Sequence, residues 1–155
     1  MKNLIKFRCS SLAKLMTEPK SKSEVLSVGA KTHVRELVAQ AILGVDFEIS
    51  DKKLEKGLLC EDEAIALVGR VRGLKLQKNA ERRSNDWITG EADIVLPELR
   101  EGRDTKACWS AATYPICWED VAAAQRTTYE WQMRGYLWLW DCDRWHIDHC
   151  LVNTP

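Results

Sequence analysis

These 155 residues carry no secretory signal, no membrane span, no paired metal-binding cysteines and no net charge. No apolar run approaches the ~18 residues of a spanning helix. The opening Met1-Lys2-Asn3-Leu4-Ile5-Lys6 lacks the apolar stretch of a signal peptide. Lys and Arg total 23, as do Asp and Glu, so any affinity for nucleic acid has to come from a local patch. No Cys-x-x-Cys occurs among the six cysteines, which disfavours a zinc ribbon or an iron–sulfur cluster. Internal repeats and low-complexity tracts are also absent. The composition, 45% hydrophobic and 30% charged, is that of a globular chain. A soluble cytoplasmic protein with one domain over residues 1–155 is expected.

Without a secretory signal, Cys9, Cys60, Cys108, Cys117, Cys142 and Cys150 read as reduced and mostly buried thiols. Cys142, His146, His149 and Cys150 lie close in sequence. A strand there would send His146 and Cys150 to one face and His149 to the other. They therefore read as strand residues, with a structural metal site as the alternative.

The periodicity changes along the chain. Ser10 or Ser11 can cap a short helix over Leu12–Met16. Apolar residues at helical spacing (Val34, Leu37, Val38, Ala41, Ile42) predict a helix from Ser27 to Leu43, stopped by Gly44. A third helix is expected over Asp51–Val68, with Leu54 and Leu58 on its apolar face and Gly69 as its stop. Alternation then predicts strands at Leu74–Gln77, Trp87–Gly90 and Ala92–Leu96, forming an antiparallel meander with a turn over Pro97–Gly102. A long helix over Glu119–Trp140 and a terminal strand over Trp145–Val152 follow. The expected class is α/β or α+β, with helices packed on a mixed sheet.

The chemistry concentrates in Ile88-Thr89-Gly90-Glu91-Ala92-Asp93 and Asp104-Thr105-Lys106. Asp93 and Asp104 supply hard carboxylate oxygens suited to Mg²⁺ or Mn²⁺. In Asp-x-Lys, strand alternation puts both side chains on one face. Lys106 would then stand beside the attacking water and the charge developing on a phosphate. Acidic-x-Lys also occurs at Glu18-Pro19-Lys20 and Asp51-Lys52-Lys53, but only the third copy follows an apolar strand with another acid. The polar start of its strand, Arg100-Glu101-Gly102-Arg103, favours a plain charged hairpin, so both readings stand at this point.

Two more segments complete a pattern: Gly57-Leu58-Leu59-Cys60-Glu61-Asp62-Glu63-Ala64, and Gln132-Met133-Arg134-Gly135-Tyr136. The chain resembles the PD-(D/E)XK nuclease superfamily, in particular phage exonucleases of the lambda and YqaJ types. That family carries G-x-x-x-E-x-x-A on a helix, G-x-x-D on a strand, D/E-x-K on the next and Q-x-x-x-Y on a later helix. Glu61, Asp93, Asp104, Lys106 and Gln132 match those positions in order. Ala92 replaces the usual proline before the aspartate.

The resemblance implies a restriction-endonuclease-like mixed sheet flanked by helices, and Mg²⁺- or Mn²⁺-dependent hydrolysis of DNA at duplex ends in phage recombination or repair. It implies Asp93, Asp104 and the Thr105 carbonyl as metal ligands, with Glu61 binding through water or at a second ion and Glu63 as the fallback. It also implies a homo-oligomer, a single-strand annealing protein as partner, and a further C-terminal segment. Arg8, Ser10 and Ser11 match the family's opening helix near the DNA end.

Between residues 70 and 83, Arg70, Arg72, Lys75, Lys78, Arg82 and Arg83 are opposed only by Glu81. Such a run tracks phosphates or protects a solvated edge strand. The seven tryptophans, with Trp131, Trp138 and Trp140 foremost, are expected mostly in the core, base stacking being the alternative for one. A non-catalytic DNA-binding relative is the competing functional class.

Overall fold

The computed structural model describes residues 5–45 and 52–153. Residues 51, 154 and 155, with the side chain of Leu54, lie outside the described set.

The architecture is mixed α/β. A short strand β1 (Phe7–Arg8) leads through a 3₁₀ turn into α1 (Leu12–Leu15), α2 (Val28–Leu43) and α3 (Lys52–Arg72). Strands β2 (Arg82–Ser84), β3 (Ile88–Glu91), β4 (Ile94–Leu96) and β5 (Glu101–Ala107) follow, then α4 (Ala123–Trp140) and β6 (Arg144–Cys150). The strands form two three-stranded sheets, ordered β1-β3-β2 and β4-β5-β6, rather than one meander. β2–β3 and β4–β5 pair antiparallel, whereas β1–β3 and β5–β6 pair parallel.

Several sequence expectations are corrected. Leu74–Gln77 forms no strand; Leu76 instead packs against the second core cluster. The third helix passes through Gly69, where a Cβ would lie 2.9 Å from the Leu74 carbonyl oxygen. Its stop is Gly73, at φ +66°. The helix expected from Ser27 to Leu43 keeps its ends: Ser27 caps α2 by accepting a bond from the Ala30 amide, and Gly44 closes it. Only Ala30 and His33 are buried on α2; Val38 and Ile42 are exposed. Ser11 precedes α1 without a side-chain cap, because its hydroxyl donates back to the Arg8 carbonyl at 3.0 Å. A 3₁₀ turn over Trp118–Asp120 replaces the expected first turn of the late helix.

The central sheet β4-β5-β6 is covered on both faces. On one, Ile88, Met133, Tyr136 and Trp140 form a core with Trp145 and Ile147 packed against it. Gly102 is required here: a Cβ would sit 2.4 Å from the Trp145 indole. On the other, Cys60, Ala64 and Val68 of α3 meet Cys150 and Val152.

The polar start of β5 is buried, contrary to the hairpin reading. Glu101, Arg103 and Asp104 are each 9% exposed or less. Arg103 donates to Asp148 at 2.7 Å, and Glu101 forms an ion pair with Arg144 at 2.6 Å. Asp148 also receives Arg72 at 3.1 Å. Partners supplied by β6 and α3 thus make a charged strand compatible with burial.

Candidate active site

The two sheets part at Ala92–Asp93, and the separation builds the site. Asp93 leaves the strand path; its Oδ2 accepts from the Thr105 amide at 2.6 Å and from the Thr105 hydroxyl at 2.9 Å. The side chain therefore continues the β4–β5 ladder beyond the Ile94–Arg103 pair. Asn79 braces the same point: its amide donates to the Asp93 carbonyl at 2.7 Å and its side chain to the Ala92 carbonyl at 2.9 Å.

Asp104 and Lys106 share the face of β5 that meets α4, as alternation predicts. Asp104 is 1% exposed. Its Oδ2 forms an ion pair with the Lys106 ammonium but accepts no hydrogen bond of proper geometry. Its Oδ1 lies 3.5 Å from the Gln132 amide, which also donates to the Tyr136 hydroxyl at 3.0 Å. Tyr136 in turn donates to the Glu91 carbonyl at 2.9 Å. The Lys106 ammonium stands 5.2 Å from the centroid of the Tyr129 ring.

The electrostatics follow from crowding. Burial pushes the Asp104 carboxyl up to about 6; Lys106 opposes this, while Asp93 and Glu61 add to it. Burial pulls Lys106 down, but Asp104 beside it and Asp93 outweigh that, so it titrates above its ordinary value. Burial and Lys106 both hold His149 below the ordinary imidazole range, leaving it neutral at physiological pH. Glu61 reaches the site from α3 and accepts from Lys78 at 3.0 Å.

Glu61, Asp93, Asp104, Thr105, Lys106 and Gln132 all line one open cleft of about 1030 Å³, together with Ser10. No family model matches the sequence, and no curated protein does. A solved structure does: a phage-related exonuclease from Haemophilus somnus 129PT, 42% identical, with a TM-score of 0.89 over 97% of this chain and 70% of that one. The chain belongs to the lambda- and YqaJ-type phage exonuclease family of the PD-(D/E)XK superfamily. An alkaline exonuclease from Laribacter hongkongensis shares the fold, with a TM-score of 0.62 over 92% of this chain and 70% of that one, at 16% identity.

In this phage-exonuclease chain the donors are hard carboxylate oxygens, and Asp104 Oδ2 is a buried atom lacking a proper hydrogen bond. Both fit Mg²⁺ or Mn²⁺. Among the described residues no group of three His, Cys, Asp or Glu side chains is arranged to hold a metal ion by itself. Mg²⁺ does not need one, because it keeps several waters and takes one or two carboxylates plus substrate phosphate. The Thr105 carbonyl leaves the strand on the same edge as its amide, which is the Asp93 side.

The remaining candidates lie elsewhere. Arg8, Ser11, Arg70, Arg72, Arg82 and Arg83 do not line the cleft. Arg82 pairs with Glu91 at 2.8 Å and Arg83 with Glu81 at 2.9 Å, on the edge strand β2. Glu63 is exposed and also outside the cleft, so Glu61 is the helix acid facing it. His149 packs against Tyr129 at 5.9 Å, whereas Cys150 packs among Cys60 and Ala64. Sequence reasoning missed Lys78 as the partner of Glu61, having placed it in the basic run. It also missed Tyr129, whose signal is its position one helical turn before Gln132.

Proposed function

We propose that this chain is a divalent-metal-dependent DNA exonuclease that hydrolyses phosphodiester bonds at duplex ends, in phage recombination or repair. The observation that carries the reading is the Asp104–Lys106 pair on one strand face, in a cleft that also receives Asp93 and Glu61. Family membership supports it.

Asp93, Asp104 and the Thr105 carbonyl would hold Mg²⁺ or Mn²⁺, with Glu61 on the opposite wall. The ion would supply Lewis-acid charge to the scissile phosphate and the attacking water. Lys106 orients that water and opposes negative charge on the phosphorane-like transition state. Tyr129 limits the ammonium's travel, and Gln132 holds Asp104 against α4. The same kinship supports a homo-oligomer and a single-strand annealing protein as working partners.

The test is end-labelled linear duplex and closed circular duplex, each incubated with Mg²⁺ or with chelator. Loss of the linear DNA alone, and only with metal, is expected. Linear DNA that survives in both Mg²⁺ and Mn²⁺, or that disappears equally in chelator, would overturn the proposal.

A further inference from the structure

The cleft extends past the acids onto a rim that the hydrolytic chemistry does not use. Trp109 lies three residues beyond Lys106 on the exit from β5, about 10 Å along an extended chain. It is 51% exposed, yet it lines the same cleft as Asp104 and Lys106. Lys56, from α3, fixes it twice: the ammonium donates to the Trp109 carbonyl at 3.0 Å and lies 5.7 Å from the ring centroid. Leu58 and Pro115 complete the apolar wall.

The loop that carries this rim is tied down rather than loose. Ser110 and Thr113 form a reciprocal cap. The Asp120 carboxylate accepts from the Ile116 amide at 2.9 Å and the Cys117 amide at 3.1 Å. Arg126 donates to the Trp118 and Glu119 carbonyls at 3.3 and 3.0 Å. A half-exposed tryptophan is thus held in place beside a cation, at the mouth of an acidic cleft.

We propose that Lys56 and Trp109 form a nucleotide subsite, Trp109 stacking on the base and Lys56 meeting the phosphate of a nucleotide adjoining the scissile bond. An aromatic face with a neighbouring cation matches a nucleotide's two parts and tolerates any base, since every base has a π-face. The inference rests on the nuclease reading above and assigns the cleft a strand-binding register.

The test measures duplex affinity in Ca²⁺, using ends that carry one abasic nucleotide at successive positions. In the wild-type protein a single position near the cut should weaken binding by about 5- to 150-fold, the equivalent of one stacked base. Trp109→Ala should lose a similar factor on intact DNA and show no further penalty at that position. Trp109→Phe should retain most of the affinity, and an unchanged melting temperature for Trp109→Ala separates lost stacking from lost folding. Lys56→Gln should weaken all sequences alike and lower the salt slope by about 0.7–0.9.

Trp109→Ala binding as tightly as wild type, or losses that multiply with the abasic position, would overturn the subsite. So would a wild-type protein that binds and cuts DNA without any position-dependent abasic penalty; that result leaves the nuclease reading intact. A wild-type protein that neither binds nor cuts DNA refutes both.

Discussion

Removing the Asp148 carboxylate should be far more damaging than removing its exposed partner. Asp148 holds two arginines, one on each oxygen: buried Arg103 at 2.7 Å and Arg72 at 3.1 Å, whose side chain is 55% exposed. An exposed pair contributes about 0.2–1 kcal/mol, so Arg72→Gln should cost no more than about 1 kcal/mol. Asp148→Ala leaves the Arg103 guanidinium buried without its counter-charge, a loss of about 3–5 kcal/mol. For a chain of this size that corresponds to a melting-temperature drop of roughly 6–20 °C at about 2–4 °C per kcal/mol. Added salt should not reproduce it, because screening acts weakly on a buried pair. The double variant Arg103→Met/Asp148→Leu should recover most of the loss, since both charges leave together. The assay is urea unfolding and thermal melting in chelator, which keeps metal binding out of the comparison. Equal costs for Arg72→Gln and Asp148→Ala, or no recovery in the double variant, would refute the reasoning.

Lys106→Ala should lower turnover by about 10²-fold or more while leaving duplex affinity in Ca²⁺ nearly unchanged, and Lys106→Arg should rescue poorly; equal losses in binding and turnover would make the lysine a phosphate contact. In chelator, the contribution of Asp104 to stability should be fully present below pH ~4 and be lost as pH rises through about 6, because the raised Asp104 carboxyl favours its neutral form in the fold. The loss approaches about 3 kcal/mol, and Asp104→Asn should flatten the profile. Gly102→Ala drives a methyl into the Trp145 ring and should cost about 3 kcal/mol by melting, partly relieved by Trp145→Leu. Neutralising Arg82 and Arg83 together should weaken binding to all sequences and lower the salt slope by about 0.9 per lost contact; an unchanged slope leaves them as edge-strand pairs.

The fold class and the meeting of the candidate residues in one cleft were legible in the sequence; the strand partners were not. Asp104 and Lys106 are two residues apart, so alternation alone places them on one face. The ordered motifs placed Glu61, Asp93 and Gln132 at the same cleft. Burial at Glu101 and Arg103 was not legible, because their partners Arg144 and Asp148 lie more than forty residues away on a parallel neighbour. A local window sees only polarity there and reads solvent. Gly69 misled for a related reason: its small size serves the approach of Leu74, a contact that exists only after the helix has turned back. The alternation in Leu74–Gln77 was real, but among the described residues no strand pairs with it. In the basic run, the folded chain supplies to Arg72, Lys78 and Arg82 acids that lie outside the run, whereas Arg83 pairs with Glu81 of the run itself.

The two bonds from Thr105 to Asp93 both end on one oxygen of the carboxylate. Thr105 offers a backbone amide that can only donate, so whatever occupies position 93 has to present an acceptor in that direction. An asparagine there has one acceptor and one NH₂ group, and its orientation is dictated in advance. The carbonyl oxygen turns to Thr105 and the NH₂ turns to the side where a cation would sit. A single-atom exchange would therefore preserve the joint between the sheets while placing positive polarity where negative charge is needed. At this position the protein's shape and the metal affinity proposed for it can be uncoupled, one oxygen at a time.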